Sequence, residues 1–225
     1  MPEGRYLSRD GDREQVLIVQ ELGAPRAKRG RRKVRPSEPG GPDQVPVTRL
    51  TVVGEQPLAD ERSAARWIES SAGDAAARAA LIREATRVVN LGLSAMRAEA
   101  RDPLIQDIGA TRALKVRIGY GEGEALADGR WSDARDVPPP RRGRLDDIDP
   151  LSRVAAVLAG RDEVHPAETL LERARLDISQ GRVREAELGL EAARAALAER
   201  PGERAKTIER RIAKAESDLA DGQGG

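Results

Sequence analysis

Hydrophobic positions along the chain change their period near residue 60. Before that point they fall in short, compact runs. QVLIVQEL (15–22) gathers Val16 to Val19 into one apolar centre, and VTRLTVVGEQPL (47–58) is β-branched and partly alternating. Both runs predict strands. Together they predict a small two-stranded β element near the N-terminus, which needs a helix to cover it because an isolated ribbon is marginal in water. The intervening APRAKRGRRKVRPSEPGGPDQVP is rich in Pro, Gly and Arg and reads as a linker. Residues 1–46 are therefore expected to be a flexible, basic arm with one strand candidate at 15–22.

From Asp60 the period becomes helical. DERSAARWIES opens with acidic residues suited to a helix N-terminus and sets Ala64, Trp67, Ile68 and Ser71 on one face. From about Asp74, a stripe of Leu81, Ile82, Ala85, Val88, Val89, Gly92, Leu93 and Met96 predicts a long amphipathic helix. Asp102-Pro103 has the N-cap and first-turn signature of a further short helix. The three prolines at 138–140 cannot continue a helix, so 138–149 is read as a Pro/Arg-rich linker between a helical domain with an initial strand (47–137) and a C-terminal helical hairpin region (150–222). In the latter, helices are predicted from Pro150 to Gly160, from Pro166 through Ile178, from Val183 to Pro201, and onward through Ile208, Ile212, Ala215 and Leu219. The fold class expected is mainly α, built as antiparallel helical hairpins or a bundle.

Two stretches match each other: LADGRWSDA (126–134) and ISQGRVREA (178–186) share Gly-Arg, an apolar residue, then an acidic residue and Ala. A helix that ends at a left-handed glycine, Gly129 or Gly181, with a new helix starting at once, explains the wording. With Ala174, Gly181, Ala186, Leu190 and Ala193 at their spacings, residues 166–200 resemble the tetratricopeptide helical hairpin, and 110–137 resemble it in part. The second copy has no aromatic residue, and Pro201 falls a turn late for that pattern. The resemblance implies a helical surface that binds protein. The glycines of RIGYGEGEALADGRW (117–131) also raise a dinucleotide loop, but Glu124 stands where the third small residue belongs, and Glu122 and Glu124 would repel a pyrophosphate. Ala113, Val116, Tyr120, Gly123 and Ala127 fall at helical spacing, so this stretch is expected to be a packed helix in which Gly121 and Gly123 admit a close neighbour.

Composition narrows the chemistry. The chain carries 39 basic and 38 acidic residues, net +1, with 34% charged, 39% hydrophobic and 2% aromatic residues and no Phe. A balanced, dense charge pattern fits ion-paired helix faces, and the core has to come from Leu, Ile, Val and Ala. The preference for Arg over Lys is typical of GC-rich coding sequence, and the Arg/Ala-rich whole is similar to proteins of GC-rich bacteria, a likeness that implies no activity. With no cysteine, disulfides, thiolate metal sites and cysteine nucleophiles are excluded. No apolar run reaches a membrane span and no leader-like stretch opens the chain, so a cytoplasmic protein with no membrane partner is expected.

Candidate chemistry is sparse. Seven positive charges stand in RAKRGRRKVR (26–35); Lys28, Arg29, Arg31, Arg32, Lys33 and Arg35 are the candidate contacts to nucleic-acid phosphates, nonspecific because no aromatics interleave them. RLDDIDP (144–150) clusters aspartates without the glycine and terminal Glu of a calcium loop and reads as a helix start. His165, the one histidine, precedes a helix-starting proline with no nucleophile beside it. No catalytic, cofactor or metal site assembles. The expectation is a non-enzymatic helical interaction or scaffold protein acting on another protein or on itself, with nonspecific nucleic-acid association through 26–35 as the alternative.

Overall fold

The computed structural model describes residues 1–10, 13–23, 46–54, 57–140, 150–202 and 204–223. The basic stretch 26–35 and residues 141–149 of the expected linker lie outside these. Among the described residues helix outweighs strand, 56% to 19%, and the chain divides into two compact units, Met1–Pro140 and Arg141–Gly225.

The first unit begins with three strands, not two. β1 (Gly4–Asp10), β2 (Arg13–Leu22) and β3 (Val47–Gly54) form an antiparallel sheet in that order. β1 escapes the periodicity because GRYLSRD has only two large apolar residues. Its partner supplies the drive, with Tyr6 opposite Leu17 and Leu7 opposite Val16. Leu17 and Val19 point to one face and pack with Val52 against Val88, Val89 and Leu93 of a long helix, the helix cover that the ribbon requires. That helix, α2 (Ala75–Ala100), comes after α1 (Glu61–Gly73). Asp60 caps α1 through Ser63 N–H (2.6 Å) and Asp74 caps α2 through Ala77 N–H (2.6 Å). Ala64, Ile68 and Ser71 are buried as their spacing predicts.

No helix forms at Asp102-Pro103. α2 ends at Arg101 in the left-handed region (φ 52°), and the stretch after it is tied back to α2. Fully buried Asn90 donates to Ile108 O (3.0 Å) and accepts from Ile108 N (2.8 Å), while Arg97 donates to Ile105 O and pairs with Asp107.

The glycine-rich stretch also departs from its predicted helix. It folds as β4 (Val116–Tyr120), a one-turn α3 (Gly123–Ala127) and β5 (Asp133–Val137), with β4 and β5 antiparallel. Five residues fit a helical and a strand period equally well, and cross-strand pairing with 133–137 decides the outcome. Gly119 does admit a close neighbour, but that neighbour is β5: a Cβ there would meet Asp133 O at 2.6 Å and the Trp131 ring at 2.7 Å. Ile118 and Val137 join Ile82 in a cluster with Trp67 and Leu81. Arg5 pairs bidentately with Glu124 (2.7 and 2.5 Å), and the Arg49 guanidinium lies against Gly129, so this segment covers the second face of the sheet, where Ile18 and Thr51 are buried.

Among its described residues the regular elements of the second unit are helices: α4 (Pro150–Leu158), α5 (Pro166–Ser179), α6 (Val183–Glu199) and α7 (Ala205–Gln223). α6 runs back along α5. His165 at the start of α5 meets Arg200 O just beyond α6, and a Cβ on Gly189 would lie 3.0 Å from that of Ala174. Ala167, Leu171, Ala174, Ala186, Leu190, Ala193 and Leu197 close with Ile208, Ile212, Ala215 and Leu219 of α7 into one core. Small residues where α5 faces α6 allow this close approach.

Gly129 and Gly181 are both left-handed, at φ 75° and 69°, as their repeated wording predicts. Each closes its helix through the same pair of bonds: Gly129 N to Leu126 O and Arg130 N to Ala125 O; Gly181 N to Ile178 O and Arg182 N to Asp177 O. The chain then continues differently, into a helix after Gly181 and into a strand after Gly129.

Candidate functional site

The densest side-chain chemistry in the described residues sits where α4, α5 and α7 meet. The local sequence builds it from a helix start. Pro166 occupies the first turn of α5, where its missing N–H is harmless. His165 is the N-cap: its Nδ1 accepts from Ala167 N–H at 3.1 Å, and its Nε2 lies 2.6 Å from Arg200 O. A carbonyl on one side and an N–H on the other define the tautomer with the proton on Nε2. Glu168 completes the capping box by accepting from His165 N–H at 3.2 Å.

Glu168 is only 6% exposed and works in two directions. Besides capping the helix, its carboxylate takes a bidentate pair from Arg153 of α4 at 3.0 and 2.6 Å, and lies 3.6 Å from Arg211 of α7. Burial pushes its pKa up, but the Arg153 guanidinium and the His165 N–H outweigh burial and hold it below the ordinary glutamate value. Arg153 also donates to Asp162 (3.2 Å) and to Glu163 O (3.3 Å). Asp162 is held low chiefly by Glu163 N–H, with Arg153 adding to the effect. Arg211 reaches Glu172 one turn along α5. Cations and carboxylates thus alternate, and they frame an open cleft of about 360 Å³ lined by Arg153, Val164, Glu168, Thr169, Glu172 and Arg211. Val164 remains 54% exposed at its edge.

Each of Asp162, Glu168 and Glu172 pairs with an arginine, and the one imidazole is committed on both nitrogens. Among the described residues no group of three or more His, Asp or Glu side chains converges to hold a metal, and no helix is long and apolar enough to cross a membrane.

The sequence candidates Lys28, Arg29, Arg31, Arg32, Lys33 and Arg35 lie outside the described residues, as do Asp146, Asp147 and Asp149. Sequence reasoning singled out His165 but missed Arg153, Glu168, Glu172 and Arg211. One signal was available: His-Pro-Ala-Glu has the spacing of a capping box, and Glu172 comes after Glu168 at i+4 on the same face. Nothing local points to Arg153 or Arg211, 15 and 43 residues away in the sequence.

Comparison with protein families, with curated proteins and with solved structures returned no match for this chain.

Proposed function

We propose that the chain is a non-enzymatic helical interaction protein whose second unit binds a protein ligand at the cleft between α5 and α7. The observation that carries this reading is the alternating lattice of Arg153, Glu168, Arg211 and Glu172 around half-exposed Val164. Such a surface is held rigid by paired charges, offers both signs at fixed spacing, and provides an apolar contact beside them. The small residues at Ala174, Gly181, Ala186 and Ala193 support a tetratricopeptide-like hairpin for α5 and α6, an architecture that presents helix faces to ligands. Affinity capture with the full chain tests the reading. A ligand retained by the native protein and by Lys214→Glu, and lost with Arg211→Glu, fits it. A ligand indifferent to Arg211→Glu counts against it.

A second reading rests on the seven positive charges of 26–35: nonspecific association with nucleic acid through Lys28 to Arg35. Neutralising about five phosphates makes such binding fall steeply with salt. A low-salt gel shift that disappears when Lys28, Arg29, Arg31, Arg32, Lys33 and Arg35 are replaced by Gln would support it; no shift at low salt would sink it.

A further inference from the structure

The two edges of the first unit's sheet are built differently. β1 carries charged Arg5 and Arg9, held by Glu124 and Glu14. β3, VTRLTVVG, carries a single charge, Arg49, whose guanidinium is turned back onto Gln20 Oε1 at 3.0 and 2.6 Å. β3 pairs without interruption along Val47–Gly54, so it has no bulge, and it contains no proline. An edge whose single charge is turned inward, and which has no bulge or proline, is the kind that accepts another strand.

The direction of its free groups comes from one contact. Glu21 N–H donates to Glu3 Oε1 at 2.8 Å, just ahead of β1, so Glu21 points its backbone groups to the β1 side. Alternation then turns Val16, Ile18, Gln20 and Leu22 toward β3, where they meet Val53, Thr51, Arg49 and Val47. The backbone groups of Thr48, Leu50, Val52 and Gly54 therefore face outward, and no described backbone group bonds them. Leu50 is 36% exposed and Thr48 is exposed too.

We propose that β3 pairs antiparallel with β3 of a second copy of this chain about a two-fold axis through Thr51, joining two three-stranded sheets into one of six strands. The strand is self-complementary in this register. Leu50 faces Val52 of the second copy, Thr48 faces its Gly54, and Arg49 faces its Val53. Four outward residues on each strand supply about eight backbone hydrogen bonds. The register displaced to Arg49 would set two guanidinium groups opposite each other and is disfavoured. A single strand edge buries less surface than a permanent dimer, so the association is weak and depends on concentration.

Sedimentation velocity on the full chain, from roughly micromolar to near-millimolar, tests it. A monomer–dimer equilibrium is expected. Leu50→Pro removes an outward N–H while leaving every bond to β2, and weakens association about tenfold or more. Leu50→Lys, which changes only a half-exposed side chain, weakens it as well and covers the case in which the proline variant loses its circular dichroism. In a chain with no other cysteine, Thr51→Cys is oxidised by dissolved oxygen to a disulfide-linked dimer because the two positions face each other at about 4.5 Å between Cα atoms. Thr48→Cys does so far more slowly. A monomer at every concentration, including one that pairs instead with a foreign strand, overturns the proposal. So does a dimer unmoved by both Leu50 variants, or cross-linking at Thr48 as fast as at Thr51.

Discussion

Arg101 stands in the left-handed region that Gly129, Gly160 and Gly181 occupy at the ends of other helices. Its bonds are of the same kind, Arg101 N to Ala98 O and Asp102 N to Arg97 O, but a side chain pays about 1–2 kcal/mol for this conformation. Arg101→Gly relieves that strain, less the entropy glycine adds to the unfolded chain, and raises stability by about 0.5–1 kcal/mol in urea unfolding. Gly181→Ala moves the other way by about 1 kcal/mol. Opposite signs from the two changes are the outcome to look for; equal signs would mean that the left-handed cap does not set the cost. The turn chemistry at Gly181 was legible in the sequence because glycine is the residue this conformation favours. Arg101 was not, since nothing in an arginine announces a positive φ.

Elements differ in how far their own sequence specifies them. α5 was readable from His165, Pro166 and the Leu171–Ala174–Ile178 spacing, and α2 from a stripe running over most of its length. β1, β4 and β5 were not, because each is short and gains its stability from a partner distant in sequence. The site shares that division. Glu168 lies in a helix whose start is written locally, whereas Arg153 and Arg211 reach it from other helices. Glu168 also sets how α4 and α5 respond to acid. Its folded pKa lies below the ordinary value near 4.3, so the ionised form is the one the fold prefers. Its contribution is complete above that ordinary value and is lost as pH falls through the lowered folded one. Glu168→Gln is expected to cost about 2 kcal/mol near neutrality. The gap from the native protein should narrow as pH falls from about 6 to about 3, measured by the helical signal in urea. A gap that stays constant would remove the Arg153 pairing as its cause.

At the scale of the whole molecule, the division at Pro140 and Arg141 separates two cores of different composition. Trp67, Trp131, Tyr6 and Tyr120 all belong to Met1–Pro140, and the chain has no phenylalanine. The second core is made from Ala, Leu and Ile alone, including fully buried Ile212. Ile212→Ala removes buried methylenes and leaves a cavity, at a cost of about 3 kcal/mol. The loss should appear as an earlier fall of the helical circular dichroism in urea, while the tryptophan emission midpoint stays where it is. Coincident shifts of both would show that the units unfold as one. The same confinement of aromatics has a practical consequence for spectroscopy: Arg141–Gly225 neither absorbs near 280 nm nor fluoresces. A fragment ending near Pro140 keeps the whole near-ultraviolet signature of the chain, and the helices that carry the charged cleft are seen only through their peptide bonds.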